Sequence, residues 1–383
     1  MSRRLVPILI ALVLTHLQVL RADPTEDALK IGLEALDKGE AQSALTTFLN
    51  AYNERASART ERDATCMLLL AHAGKLLSNS NQHPAAAACF ERFYGISVAL
   101  NGNTHPHTVI AAVHLAHYLG RAGQSMDFGK RLCQEAMIAC QLQPEIPPHV
   151  HLRALYTYGD ILLAQKERIA AAGAFRDYLK HAEAMPKKPR VEMSEVYTKL
   201  ASIDTFFGRA KDAEKRQKLA LEQLRLARGD KDVAVYTMRL SLADQMAPAD
   251  GADVLQALLK DVSTTPGVET SKELQQIWCA AEFRLALKEA ALNQRAGLIA
   301  RLRSAIAHGI KGYGEDHEQL LQLYLELAKL HLSKDQNKEG VECYRHVLAI
   351  RIKALGPDHE SVATTRQILD DLIADLKKAG EDI

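Results

Sequence analysis

The sequence predicts an all-α solenoid, a stack of about eight antiparallel helix pairs closed by one further helix. Three observations carry this reading. The phrases Gly314-Glu315-Asp316-His317-Glu318 and Gly356-Pro357-Asp358-His359-Glu360 are two copies of one motif, their glycines 42 residues apart. A fixed period of this size marks a repeat architecture. The same step recovers related phrases upstream, at Gly229-Asp230-Lys231-Asp232, Gly102-Asn103-Thr104-His105-Pro106, Pro147-Pro148-His149-Val150 and Lys188-Pro189-Arg190-Val191. Each interval also divides into two helix-length apolar patterns, and two short helices cannot bury their apolar faces alone, so neighbours must stack.

Taken in order, the first pair breaks at Gly39 and the third at Gly123. Glycine there supplies the left-handed conformation that ends a helix. The clearest interval is Glu192 to Leu226. Val196, Leu200, Ile203 and Phe207 recur at helical spacing, Gly208-Arg209 interrupts, and Ala213, Leu219 and Leu224 resume the pattern. The sixth pair, Val233 to Val262, is irregular, because Met246-Ala247-Pro248-Ala249-Asp250-Gly251 separates its helices. Asp335-Gln336-Asn337 divides the last pair. The closing helix, Glu360 to Lys378, is polar on one side through Arg366, Asp370, Lys377 and Lys378, as a cap requires. The expected organisation is a targeting segment over 1–22, repeats one to six over 23–262, a linker or hinge over 263–270, repeats seven and eight over 271–358, and the closing helix and tail over 359–383.

Leu200-Ala201, Gly208, Ala213 and Ala220, with Ile31-Gly32, Gly39, Ala44, Phe48 and Ala51, resemble the tetratricopeptide repeat pattern. The 42-residue spacing and the link Gly356-Pro357-Asp358-His359-Glu360-Ser361-Val362-Ala363 look like its kinesin-light-chain variety. The resemblance covers roughly Thr25 to Ala379 and implies a right-handed superhelix. Small residues let paired helices approach: Gly32, Ala201 and Ala328 from the first helix, Ala44, Ala213 and Gly340 from the second. Two departures are expected to distort their repeats. Phe128 stands where alanine belongs, and Asn81-Gln82-His83-Pro84 reads as a short insertion.

Composition fits such a stack: 47% apolar, 25% charged and 5% aromatic residues. A formal net charge of +1 gives no electrostatic grip on nucleic acid or acidic lipid. Arg3 and Arg4 precede an apolar run from Leu5 to Leu20, followed by Arg21-Ala22-Asp23-Pro24. A charged head, an apolar core and a small residue before a polar start read as a secretory signal peptide. The expectation is export, periplasmic or secreted, with no membrane span after cleavage near Asp23; an uncleaved anchor is the alternative. In an exported chain six cysteines raise the question of disulfides. Cys133 and Cys140 are too far apart on one helix to pair, Cys66 and Cys89 could meet, and the bland reading is small buried side chains.

No phosphate-binding glycine loop, Cys-x-x-Cys pair, nucleophile elbow or His-Glu-x-x-His helix occurs. No catalytic residue and no cofactor are expected. Among fifteen histidines, His114 and His117 share a helix face, with His105 and His107 just upstream. A zinc site needs three or four converging ligands. His105, His317 and His359 occupy one slot of the repeat, which argues for a structural role in the turn.

The family resemblance implies that a few positions on each first helix line the concave groove. These are Thr65, His72 and Lys75; His117 and Arg121; Arg153, Tyr156 and Asp160; Glu195, Thr198 and Ser202; and Gln322 and Lys329. His72, Lys75, His117, Arg121 and Arg153 would form a cationic stretch with Tyr156 as aromatic anchor, suited to an acidic peptide. The asparagines that carboxylate-clamp and cargo-binding grooves place beside the Leu-Ala pairs are missing here. The expected function is a non-enzymatic exported scaffold binding a protein or peptide segment in its groove. A small-molecule or metal receptor using the histidine-rich third repeat is one alternative, and an enzyme hidden in the groove another.

Overall fold

The computed structural model describes residues 24–57 and 64–378. The targeting segment expected over 1–22 lies outside these residues. Among the described residues the chain is helical throughout, without a β-strand. The helices fall into two compact units, one ending at Lys188 and the other starting at Pro189.

The first unit holds four pairs: α1 (Pro24–Asp37) with α2 (Ala41–Ser57), α3 (Ala64–Asn79) with α4 (His83–Asn101), α5 (Pro106–Ala122) with α6 (Met126–Leu142), and α7 (Pro148–Ala164) with α8 (Arg168–Glu183). The second holds α9 (Arg190–Phe206) with α10 (Ala210–Arg228), α11 (Val233–Gln245) with α12 (Pro248–Ser263), α13 (Lys272–Ala291) with α14 (Leu298–Tyr313), and α15 (Leu321–Leu332) with α16 (Asn337–Leu355). A 3₁₀ turn, Glu318–Leu320, introduces α15, and α17 (Glu360–Lys378) packs on α16.

One exchange of volume fixes how each pair crosses. In the first unit Gly32, Gly74 and Gly159 on the first helices face Phe48, Phe90 and Phe175 on the second, always sixteen residues on. A Cβ on Gly74 would lie 2.6 Å from the Phe90 ring, and one on Gly159 would lie 2.5 Å from the Phe175 ring. The ring occupies the notch that the missing side chain leaves. The third pair has Ala116 and, one residue further along because of its longer turn, Cys133 at these positions. The second unit has Ala201 and Gln217, Ala286 and Leu302, and Ala328 and Tyr344. In the third, fifth and seventh pairs the small partner gains a methyl and the large one is not aromatic, whereas the eighth keeps a ring, Tyr344, opposite its alanine.

The turns inside pairs are equally regular. Gly39, Asn81, Gly123, Lys166, Gly208, Asn293 and Asp335 all have positive φ, closing the first helix of every pair but the sixth. Asn81 therefore sits in an ordinary turn, and Asn81-Gln82-His83-Pro84 is no insertion. The third turn has one residue more, with Ser125 also at positive φ. This residue moves the small-residue slot from Phe128 to Gly129, which is buried and whose Cβ would meet Ile161 at 3.1 Å. The second repeat is regular, and the third departs from the common pattern by this one added turn residue. In the sixth pair α12 begins at Pro248, whose missing N–H costs nothing at a helix start. The stretch 263–270 is tied down by Tyr236 Oη to Thr265 Oγ1 (2.7 Å) and by Gln275 Nε2 donating to the Val268 carbonyl (2.7 Å).

Between pairs, Gly102, Gly229, Gly314 and Gly356 combine positive φ with ψ near 160°, a region open essentially to glycine alone. Three residues later the chain caps the next helix. His105, His317 and His359 accept a hydrogen bond at Nδ1 from the backbone N–H two residues on, at 3.2, 3.2 and 3.1 Å. Asp232 does the same in its slot at 2.8 Å. These histidines are N-caps, as the shared slot suggested. All six cysteines are free thiols and five are buried. Burial pushes Cys133 and Cys279 up to about 12. Among the described residues no helix is long and apolar enough to cross a membrane.

Candidate binding face of the first helices

The expected groove residues of the first unit sit on α3, α5 and α7, and the structure brings most of them together. α5 and α7 lie side by side. Apolar residues seat α5 in the unit: Leu115, Ala116 and Leu119 are buried, leaving His114, His117, Tyr118 and Arg121 toward its open side. The His114 and Tyr118 rings both stack on Phe90 of α4, at 5.5 and 4.4 Å between centroids. His72 of α3 stacks on Phe48 at 5.3 Å.

Around these rings the charges share one sign. His114 feels Arg153 and His149 of α7 and Lys75 of α3. His117 feels Arg153, Arg121, His114 and His83. Burial first, and then these cations, push His114 down to about 4 and His117 to about 3. Burial and Lys75 also lower His72. No carboxylate is among the charges that act on His72, His114 or His117. Arg121 Nη2 donates to His83 Nε2 at 3.3 Å, which leaves His83 Nδ1 to face Ser78 Oγ at 3.4 Å. The Tyr118 hydroxyl also bonds to Ser78.

Lys75, Arg121 and Arg153 thus supply the positive charge around the His114 and His117 rings, with His72 on α3. Tyr156 turns toward its own pair instead, its ring edge-on to Phe175 and Tyr178 at 6.4 and 6.0 Å. Asp160, one turn further along α7, is half-buried. Sequence reasoning passed over His83, Tyr118 and His149, and weighed His114 only as a metal ligand. His83 and His149 were visible only as turn landmarks; their spacing to His117 exists in the fold alone.

The second unit differs. Lys329 pairs with Glu326 at 2.9 Å, and Gln322 donates to the same carboxylate at 2.9 Å. Thr198 bonds back to the Ser194 carbonyl, while Glu195 and Ser202 are exposed. Its main polar cluster is internal. Arg301 of α14 bridges Glu282 and Glu289 of α13 at 2.9 and 2.8 Å, both carboxylates only 12% and 11% exposed.

Among the described residues no three His, Cys, Asp or Glu side chains converge on a metal position. His105 spends Nδ1 on its cap, and His114 and His117 face Arg153. A cleft of about 470 Å³ lies elsewhere in the first unit, lined by Met137, Ile138, Leu155, His151, Asp177 and His181 among others. It contains none of the expected site residues.

The fold defines an all-helical repeat protein, a succession of antiparallel helix pairs. Residues 320–361 match the repeat model of the tetratricopeptide repeat family, and paired helices recur along both units. In fold it is similar to the apo quorum sensor NprR of B. thuringiensis, at 12% identity over 90% of this chain and 92% of that one, with a TM-score of 0.51. It is also similar to apo RapI, at 11% identity over 82% and 86%, with a TM-score of 0.53. Repeats assigned to a kinesin light chain of Podosopora anserina align at 12% identity over 54% and 99%, with a TM-score of 0.43. No curated protein matches the chain in sequence.

Proposed function

We propose that this protein is a non-enzymatic, exported scaffold that binds an acidic peptide or protein segment along α3, α5 and α7. The observation that carries the reading is the clustering of Lys75, Arg121, Arg153 and four histidines without an opposing carboxylate among the charges acting on His114 and His117. In a chain of net charge +1 such a local excess is not a by-product of composition. Stacked rings hold the cluster's floor, so its spacing is set before a ligand arrives, which lowers the entropic cost of binding. Export rests on the sequence pattern of residues 1–22, and N-terminal sequencing of the mature protein tests it: an intact Met1 overturns export by cleavage.

Fluorescence anisotropy with a labelled hexaglutamate peptide tests the site. Binding should weaken with salt, since Coulombic attraction is screened. Arg121→Glu with Arg153→Glu should reduce affinity at least tenfold while circular dichroism stays unchanged. An unaltered dissociation constant, or equal affinity for hexalysine, refutes the site.

A further inference from the structure

We propose that the cleft between α6, α7 and α8 is a second docking site, which takes an arginine flanked by apolar residues from a protein partner. It lies apart from the face of α3, α5 and α7 and does not rest on that reading. Its volume of about 470 Å³ is in the range of ligand sites. Met137 and Ile138 of α6 and Leu155 of α7 give it an apolar wall. Ile138 is 57% exposed, and Leu142, one turn on and 74% exposed, carries the apolar stripe past the cleft. Two large apolar side chains left in water beside a concavity mark a surface that gains by being covered.

The polar wall is made of acceptors. No lysine or arginine lines the cleft, and Asp177 of α8 is its one carboxylate. Among the described residues Asp177 has no hydrogen bond and no ion pair with a cation. The carboxylates near the starts of α6 and α8 are matched, by contrast: Glu167 holds Lys130 at 2.8 Å, and Asp127 accepts from Gln165 at 2.8 Å. Four residues beyond Asp177, His181 brings its ring to 4.6 Å from that of His151 on α7. Burial first, and then His181, lower His151 against the pull of Asp177, so this imidazole is uncharged at pH 7 and keeps a lone pair. Gln134 spends Nε2 on the Tyr158 hydroxyl at 3.1 Å, which leaves its amide oxygen as an acceptor.

Arginine suits this set better than any other side chain. Its planar guanidinium offers five donors and keeps its charge, so one group can reach a carboxylate and an imidazole nitrogen together and stack on the rings. A lysine ammonium is a compact, strongly hydrated charge with no face to stack. An acidic segment would meet the unmatched Asp177 and be repelled. Apolar neighbours of the arginine would cover Ile138 and Leu142.

The test titrates the full chain, labelled at its methionine methyls, with acetyl-Leu-Arg-Leu-amide and with the same peptide carrying citrulline for arginine. Met137 puts one methyl in the cleft. Its NMR signal, assigned through Met137→Leu, should shift saturably with the arginine peptide at millimolar concentration and far less with its uncharged isostere. Asp177→Asn should weaken the arginine peptide about fivefold, the share an exposed ion pair supplies. Ile138→Ser should weaken both peptides. Asp177 and Ile138 are exposed, so these variants keep the fold, and unchanged signals from the other methionines verify it. Arg121→Glu with Arg153→Glu should leave this binding as it is. Equal affinity for the citrulline peptide, a Met137 signal that stays still, or full affinity in Asp177→Asn overturns the proposal. None of these outcomes bears on the hexaglutamate result, so the two sites stand or fall separately.

Discussion

At the scale of single residues, the notch-and-ring exchange makes a sharp prediction. Gly159→Ala places a Cβ 2.5 Å from the Phe175 ring, so the variant should lose about 1–3 kcal/mol through overpacking. Phe175→Leu alone should also destabilise, by opening a cavity. Together they recreate the Ala286 and Leu302 solution of the seventh pair, so the double variant should be more stable than the sum of the two losses implies. Urea denaturation around this double-mutant cycle measures the coupling, and strict additivity would falsify the exchange. His114 and His117 predict a pH dependence. Both are held below their ordinary value in the fold, so the unfolded chain binds more protons. Stability is therefore complete above about 6.5 and declines as pH falls toward 4 and 3. Hydrogen exchange of α5 at pH 7 and pH 4.5 reads it, and His114→Asn with His117→Asn should flatten the response. The histidine caps were legible from their shared slot. The cationic face was legible only in part, because Lys75, Arg121 and Arg153 follow the repeat whereas His83 and His149 reach it from helix starts.

At the scale of helices, each pair joins partners by apolar packing, and α13 with α14 adds a nearly buried charge group. Removing Arg301 strands two carboxylates that are mostly shielded from water. Arg301→Met should cost about 3–5 kcal/mol at pH 7, because an uncompensated buried charge is expensive. The loss should shrink at pH 4, where protonation removes the stranded charges. Chemical denaturation at both pH values checks this, and an equal loss at both means the arginine acts through its stem. The pairs themselves were readable from sequence, since period and break residues are local signals. The reading erred at Phe128 because a single added turn residue shifts the slot to Gly129, and an apolar pattern tolerates such a shift without showing it. Lys166 gave no warning either: it takes a left-handed conformation that glycine or asparagine holds in sister turns.

At the scale of the whole molecule, α17 covers a face that would otherwise meet water. Val362, Leu369 and Leu376 are buried, with Leu369 and Leu376 packed against Val341, Tyr344 and Leu348 of α16, and Arg351 donates to Thr365 within the same contact. A chain ending after Gly356 should melt at lower temperature and self-associate, as an uncapped repeat does. Differential scanning calorimetry with light scattering checks it, and unchanged melting with a monodisperse solution refutes the capping role. The sequence announced this helix by its polar side. It did not announce the division at Lys188 and Pro189, because the repeat period runs through that point undisturbed and compactness depends on contacts that no local pattern encodes.

The glycine notches have a mechanical consequence. Three of the four joints in the first unit seat an aromatic plug in a socket that fits nothing larger, which leaves those hairpins one register and little play. In the second unit the fifth, seventh and eighth pairs each close methyl against a different side chain, a shallower catch that permits small slips. The first unit should therefore yield less to deformation than the second, a difference that hydrogen exchange along its hairpins would register.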